Sequence, residues 1–137
     1  MRRRYMISGL VVMVVSLLIG LSIAYTQDSL SIDIDKKADL VNDGQAVNLT
    51  VEIACPSGRQ VLEAFAYVVQ DDNQSNFGGI PLTCDGVLRE YVVQIAVSPD
   101  SPLFHRGRAR ATAFVLLLDP ATGATESGED SQRIKLR

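Results

Sequence analysis

The sequence predicts an all-β domain, an antiparallel sandwich of about seven strands, on three observations. Apolar and polar residues alternate with a period of two in several segments, most clearly in VNLTVEIAC (47–55). Turn signals rich in Gly, Pro, Asn and Asp recur about every 8–12 residues. Beyond the N-terminal leader, no stretch spaces its apolar residues as an amphipathic helix does.

The leader comes first. Arg2, Arg3 and Arg4 precede Met6 to Ala24, a run without a charge. Ser22 and Ala24 are the small residues that a signal peptidase prefers, and Gly20 would help to end the helix. The run is also close to the ~20 residues that span a bilayer. Residues 1–26 are therefore expected to be a signal peptide or an uncleaved membrane anchor, and 27–137 a single domain. In either case the arginines stay in the cytoplasm and the domain is exported, secreted or tethered by residues 6–24.

The strands follow in order. Leu30-Ser-Ile32-Asp-Ile34-Asp alternates and reads as the first, and Asn42-Asp43-Gly44 is a turn signal. Val47, Leu49, Val51, Ile53 and Cys55 share one face of the second, which Pro56-Ser57-Gly58 ends. VLEAFAYVVQ (61–70) is rich in β-formers and is expected as the third, although LEAFA could begin a helix. DDNQSNFGG (71–79) reads as a polar loop. A short strand Ile80 to Cys84 is expected to turn at Asp85-Gly86 into a fifth, with Val87, Arg89, Tyr91, Val93, Ile95 and Val97 on one face. After the loop SPDSPLFHRG come Ala109, Ala111, Ala113, Val115 and Leu117 on one face of the sixth. Following PATGATESGED, Ser131 to Leu136 completes the set.

Cys55 and Cys84 are the only cysteines. In an oxidising compartment two cysteines in a small domain form a disulfide. Their separation is far from the C-x-x-C of a redox centre, and with a single distant histidine they lack the clustering of a zinc site. Both close strands that run the same way, so both reach one rim of the sandwich.

The strand ending in Cys55-Pro56, the segment Thr83-Cys84-Asp85-Gly86, and Phe104-His105-Arg106-Gly107-Arg108-Ala109 opening an Ala-rich strand together resemble small exported bacterial domains of immunoglobulin-like type. The resemblance covers roughly 30–118. It implies an immunoglobulin-like sandwich and an extracytoplasmic address, and no activity. The chain departs from antibody-type domains in having no Trp and in cysteines too close for the usual inter-sheet bridge. In an immunoglobulin-like sheet the fifth strand lies between the second and fourth, too far apart for a disulfide, so the strand order stays open.

With the three leader arginines set aside, ten basic residues face 16 acidic ones, a net charge of −6. That balance disfavours nucleic acid as a partner. His105 is the only histidine, and no Gly-x-Ser-x-Gly elbow or Gly-rich phosphate loop is present. The expectation is a non-enzyme without metal or cofactor. Asp71, Asn73 and Ser75 have the start of a calcium-loop spacing, but Asn76 and Leu82 stand where its glycine and glutamate belong. The sequons at Asn48 and Asn73 matter only in a glycosylating host.

One binding candidate remains. Arg106, Arg108 and Arg110, spaced two apart, would project from one face and could hold an acidic polymer, anionic lipid headgroups or a sulfated glycan. The plainer reading pairs them with some of the many carboxylates. Phe114, Leu116 and Leu118 continue that face as apolar residues. The overall expectation is an exported, non-catalytic binding or structural module whose partner is an unknown protein or envelope component, with the membrane touched only through an uncleaved leader. The alternatives are a small-ligand carrier, motivated by the alanine face 109–113, and a small hydrolase or metal-dependent enzyme.

Overall fold

The computed structural model describes residues 29–137, so the leader expected at 1–26 lies outside the described residues. Nine strands form one mixed sheet: β1 (Ser31–Ile34), β2 (Lys37–Val41), β3 (Ala46–Ala54), β4 (Gln60–Gln70), β5 (Asn73–Gln74), β6 (Gly78–Gly79), β7 (Leu88–Ala96), β8 (Gly107–Leu118) and β9 (Thr125–Leu136). Among the described residues no helix is long and apolar enough to cross a membrane. The helical alternative at LEAFA is not taken, because Ala64 and Ala66 pair with Val115 and Ala113 of β8.

The sheet has two arms. In one, β3 pairs antiparallel with β1 and β2 on one side and with β7 on the other. In the other, β8 pairs antiparallel with β4 and β9, while β5 and β6 are short partners of β4. The buried faces of both arms share one core: Val47, Leu49, Val51 and Ile53 of β3 and Ile95 of β7 belong with Ala111, Ala113, Val115 and Leu117 of β8. A fully buried Val, Leu or Ile contributes about 1.5–3 kcal/mol by leaving water.

The expectation of a purely antiparallel sheet is corrected by β2. Its Asp39–Val41 end pairs with β3, while Lys37 and Ala38 pair in parallel with Lys135 and Leu136 of β9. A strand antiparallel to β3 that also reaches β9 has its direction set by β3, and β9 runs the same way. The turn after β2 needs successive positive φ angles at Asn42, Asp43 and Gly44. At Gly44 a Cβ would lie 2.1 Å from the Phe104 carbonyl oxygen, so this close approach admits only glycine.

β9 begins at Thr125, inside the segment read as a loop. Its first inward positions are polar because they hold β1 instead of filling the core. The Leu30 N–H donates to Glu126 Oε1 at 3.3 Å and the Ile34 N–H to Asp130 Oδ2 at 3.0 Å. Between them Gly128 leaves room for Leu30, whose Cδ2 would be 2.7 Å from an added Cβ.

Residues 80–84 do not form the expected strand, and Asp85-Gly86 does not close a hairpin. The Ile80 N–H bonds the Ala64 carbonyl of β4, and the Gly86 N–H bonds the Cys55 carbonyl at 2.8 Å. The segment thus passes from β4 to the end of β3 and brings Cys84 to Cys55, with a Cα separation of 4.5 Å across the disulfide. The geometric difficulty disappears, since β7 lies directly beside β3 and no fourth strand stands beyond it in that arm. A bridge across 29 residues stabilises the fold by roughly 3–4 kcal/mol in the loop-entropy model.

Candidate functional site

The outer surface of β4, β8 and β9 is a grid whose rows follow from register. Arg108 lies opposite Lys135, and Arg110 stands between Val69 and Arg133. The next row holds Tyr67, Thr112 and Ser131, then Phe65, Phe114 and Glu129, then Glu63, Leu116 and Ser127. Alternation along β8 turns these side chains to the outer face, for Ala109, Ala111, Ala113, Val115 and Leu117 between them are buried, although Thr112, flanked by Tyr67 and Ser131, is itself only 6% exposed.

The structure places two of the three sequence-selected arginines on this face and sends the third elsewhere. β8 starts at Gly107, whose φ of +137° breaks the alternation before the strand begins. Arg106 instead lines a shallow hollow of about 270 Å³ with Leu40, Asp43, Phe104 and Arg137. The entry to β8 is held by the buried Gln70. Its Nε2 donates to the His105 carbonyl at 2.8 Å, and its Oε1 accepts the His105 N–H at 2.9 Å.

Arg133 and Lys135 complete the basic cluster, and sequence reasoning missed them. The signal was present in Arg133-Ile134-Lys135-Leu136, where charge alternates with apolar residues, but only register puts these side chains beside Arg108 and Arg110. Nor are the arginines paired as the plainer reading expects. Among the described residues, carboxylates lie within 4.0 Å of Arg59, Arg89 and Arg137, and none lies so close to Arg106, Arg108, Arg110, Arg133 or Lys135. Arg110 Nη1 donates to the Ser131 hydroxyl at 3.4 Å, and Ser131 Oγ is also 3.2 Å from Thr112 Oγ1.

Next to the cations is an aromatic group. Phe77 is 62% exposed and packs edge-on against Phe65 and Tyr67, with centroids 5.1 and 5.5 Å away. Phe114 lies 5.4 Å from Phe65. The surface therefore runs from four cations with no carboxylate within 4.0 Å among the described residues, past the Ser131 hydroxyl, to aromatic rings flanked by Glu63 and Glu129.

The opposite arm carries the opposite sign. Asp33, Glu52 and Glu90 stand in one row across β1, β3 and β7, and with Asp35 and Thr50 they line a hollow of about 320 Å³. Among the described residues no group of three metal-ligating side chains converges. The oxygens of the calcium-like spacing are used otherwise. Ser75 Oγ accepts the Val68 N–H and donates to the Asn76 carbonyl, both at 2.8 Å, and Asp71 faces His105.

His105 sits on the rim. Its Nε2 is 3.1 Å from Asp71 Oδ2 and its Nδ1 3.0 Å from the Arg106 carbonyl. Both partners are acceptors, so both bonds form only when the ring is protonated. The Asp71 carboxylate first, and the Arg106 carbonyl second, raise its pKa above the ordinary value. At the other end of the molecule Asp85 is held below the usual carboxylate range, chiefly by its hydrogen bond from Arg89.

No protein-family model matches the chain, and no curated protein matches it.

Two predictions follow from this geometry. Like charges directly opposite on a sheet repel, so Arg133→Ser is expected to stabilise the fold slightly, on the order of 0.3 kcal/mol in urea unfolding, with the gain shrinking as salt rises. A loss of stability would show that Arg133 is neutralised in solution. For His105, ring NMR titration is expected to give a pKa above ~6.5 that falls toward that value in Asp71→Asn. Because the native pKa is raised, the stabilisation is full below the unfolded pKa and fades as pH rises through the native one. An unchanged titration in Asp71→Asn would contradict the assignment.

Proposed function

We propose that the chain is an exported, non-catalytic binding module of the cell envelope, built as an immunoglobulin-like sandwich, and that it binds an anionic partner through the outer face of β4, β8 and β9. The observation that carries this reading is the exposed cation cluster of Arg108, Arg110, Arg133 and Lys135, with no carboxylate within 4.0 Å among the described residues, near the exposed Phe77 in a domain whose net charge is negative. Like-charged neighbours cost stability, and a partner's negative charge offsets that cost.

The immunoglobulin-like part of the proposal is supported by pairings of β3 with β7, β4 with β8 and β8 with β9, which match the B–E, C–F and F–G neighbours of that fold. On this reading the segment 80–84, which forms no ladder, stands where strand D of that fold would run. Export is supported by the leader sequence and by the disulfide, which suits an oxidising compartment. Secretion and tethering through residues 6–24 both fit. The non-catalytic part is supported by the sole histidine, whose ring nitrogens face Asp71 and the Arg106 carbonyl, while among the described residues no serine or threonine hydroxyl bonds it.

The test is made in living host cells with a photo-reactive side chain at Ser131 on the basic face, and separately at Glu52 on the acidic face. Ser131 is expected to give an extracytoplasmic adduct that disappears with Arg108→Ser and Arg110→Ser, whereas Glu52 gives none. Adducts only from Glu52, or none from either, would remove the reading.

A further inference from the structure

The same face carries enough chemical detail to name a class of partner, an inference that rests on the binding reading above. We propose that it binds an acidic polysaccharide, with acid groups over Arg108, Arg110, Arg133 and Lys135 and a neutral sugar ring over Phe77 and its neighbours.

Three features narrow the choice. First, the cations and the aromatics are separated along the strands. Arg110 and Phe114 are four residues apart on β8, about 13 Å at the rise of a strand. The partner must therefore present negative charge and a stackable ring surface a few units apart on one extended chain. Second, the aromatic end is polar at its margins. Glu129 lies across from Phe114, and Glu63 lies across from Leu116 in the next row. Carboxylates beside an aromatic platform accept hydrogen bonds from sugar hydroxyls, and Ser127 and Ser131, exposed on β9, add hydroxyls of their own. On an anionic membrane the same two carboxylates would be repelled at the point where the apolar side chains should insert, since surface-seeking faces surround their apolar residues with Lys and Arg.

Third, the rings are not arranged for nucleobases. Single-stranded nucleic acid binds where successive bases each find an open ring face. Here Phe77 stands at 69° to Phe65 and 90° to Tyr67, and Phe114 is tilted by 36° from Phe65, so the rings form no row of parallel faces; Phe77 alone of the four is exposed, and Phe65, Tyr67 and Phe114 are half-buried. One platform with flanking acceptors suits a sugar, whose C–H face lies on the ring while its hydroxyls reach sideways.

The experiment uses the full chain in mild detergent and affinity electrophoresis through gels carrying hyaluronan, in which carboxylate sugars alternate with neutral ones, or dextran, which has no charge. Retardation is expected in hyaluronan, weakening as salt rises, and none in dextran. Arg108→Ser with Arg110→Ser is expected to weaken binding about tenfold or more and to flatten the salt dependence. Phe77→Ala is expected to weaken it about tenfold while leaving the salt dependence unchanged, and Phe77→Trp to restore it. Phe77 is largely exposed, so neither change threatens the fold. The proposal is overturned if hyaluronan is not retarding, or if Phe77→Ala changes nothing and the retention is charge alone. It is equally overturned if phosphatidylglycerol vesicles or a single-stranded oligonucleotide bind more tightly than hyaluronan. In each of those cases the Ser131 adduct decides separately whether the face binds another partner or none.

Discussion

The alternation of β8 is the constraint on which the rest depends. Twelve residues are paired along their length with β9 on one side and with most of β4 on the other, so their register cannot shift alone. A slip of one residue would drive Arg108 and Arg110 into the core and expose Ala109, Ala111 and Val115. The same strand thus supplies one wall of the core and the centre of the candidate site. Gln70 sets where the alternation begins, by fixing the backbone of His105 before Gly107 releases it into the strand. The small inward side chains of Ala109, Ala111 and Ala113 are buried in the shared core, where they permit the other arm to pack closely.

Much of this was legible in the sequence wherever one face of a strand is apolar and the other polar. Segments β1, β3, β7 and β8 announce themselves by their period, β4 by its β-forming residues, and Cys55 with Cys84 by compartment and number. The first half of β9 was not legible, because Glu126, Gly128 and Asp130 face inward yet serve to hydrogen-bond and seat β1. A polar inward face mimics a loop. β2 is short and shared between two partners, so its alternation of Ala38 and Leu40 spans too few residues to be recognised. The disulfide's route is hidden for a related reason: Ile80 and Leu82 look like strand residues, but the Ile80 N–H bonds the Ala64 carbonyl of β4 and the Leu82 N–H bonds the Ile80 carbonyl.

The candidate site was half visible. Arg108 and Arg110 could be read from spacing alone, whereas their neighbours Arg133, Lys135, Phe65 and Tyr67 come from other strands and join only through register. Arg106 obeyed the spacing but not the backbone. The outcome is a domain of opposed faces, with carboxylates of Asp33, Glu52 and Glu90 on one arm and cations on the other. Such a separation of charge within a net acidic chain orients an approaching polyanion, repelling it from one side and admitting it on the other. The disulfide contributes indirectly, by holding the segment that leads from β4 back to the β3 end.

The most direct measurement of the central claim is an NMR titration of the isotope-labelled chain with hyaluronan, following the guanidinium signals of Arg108, Arg110 and Arg133. The account predicts that these move together with the ring protons of Phe77, while Arg59 and Arg89, already held by carboxylates, stay still. Movement centred on the acidic arm, or on Arg59 and Arg89 alone, would contradict it.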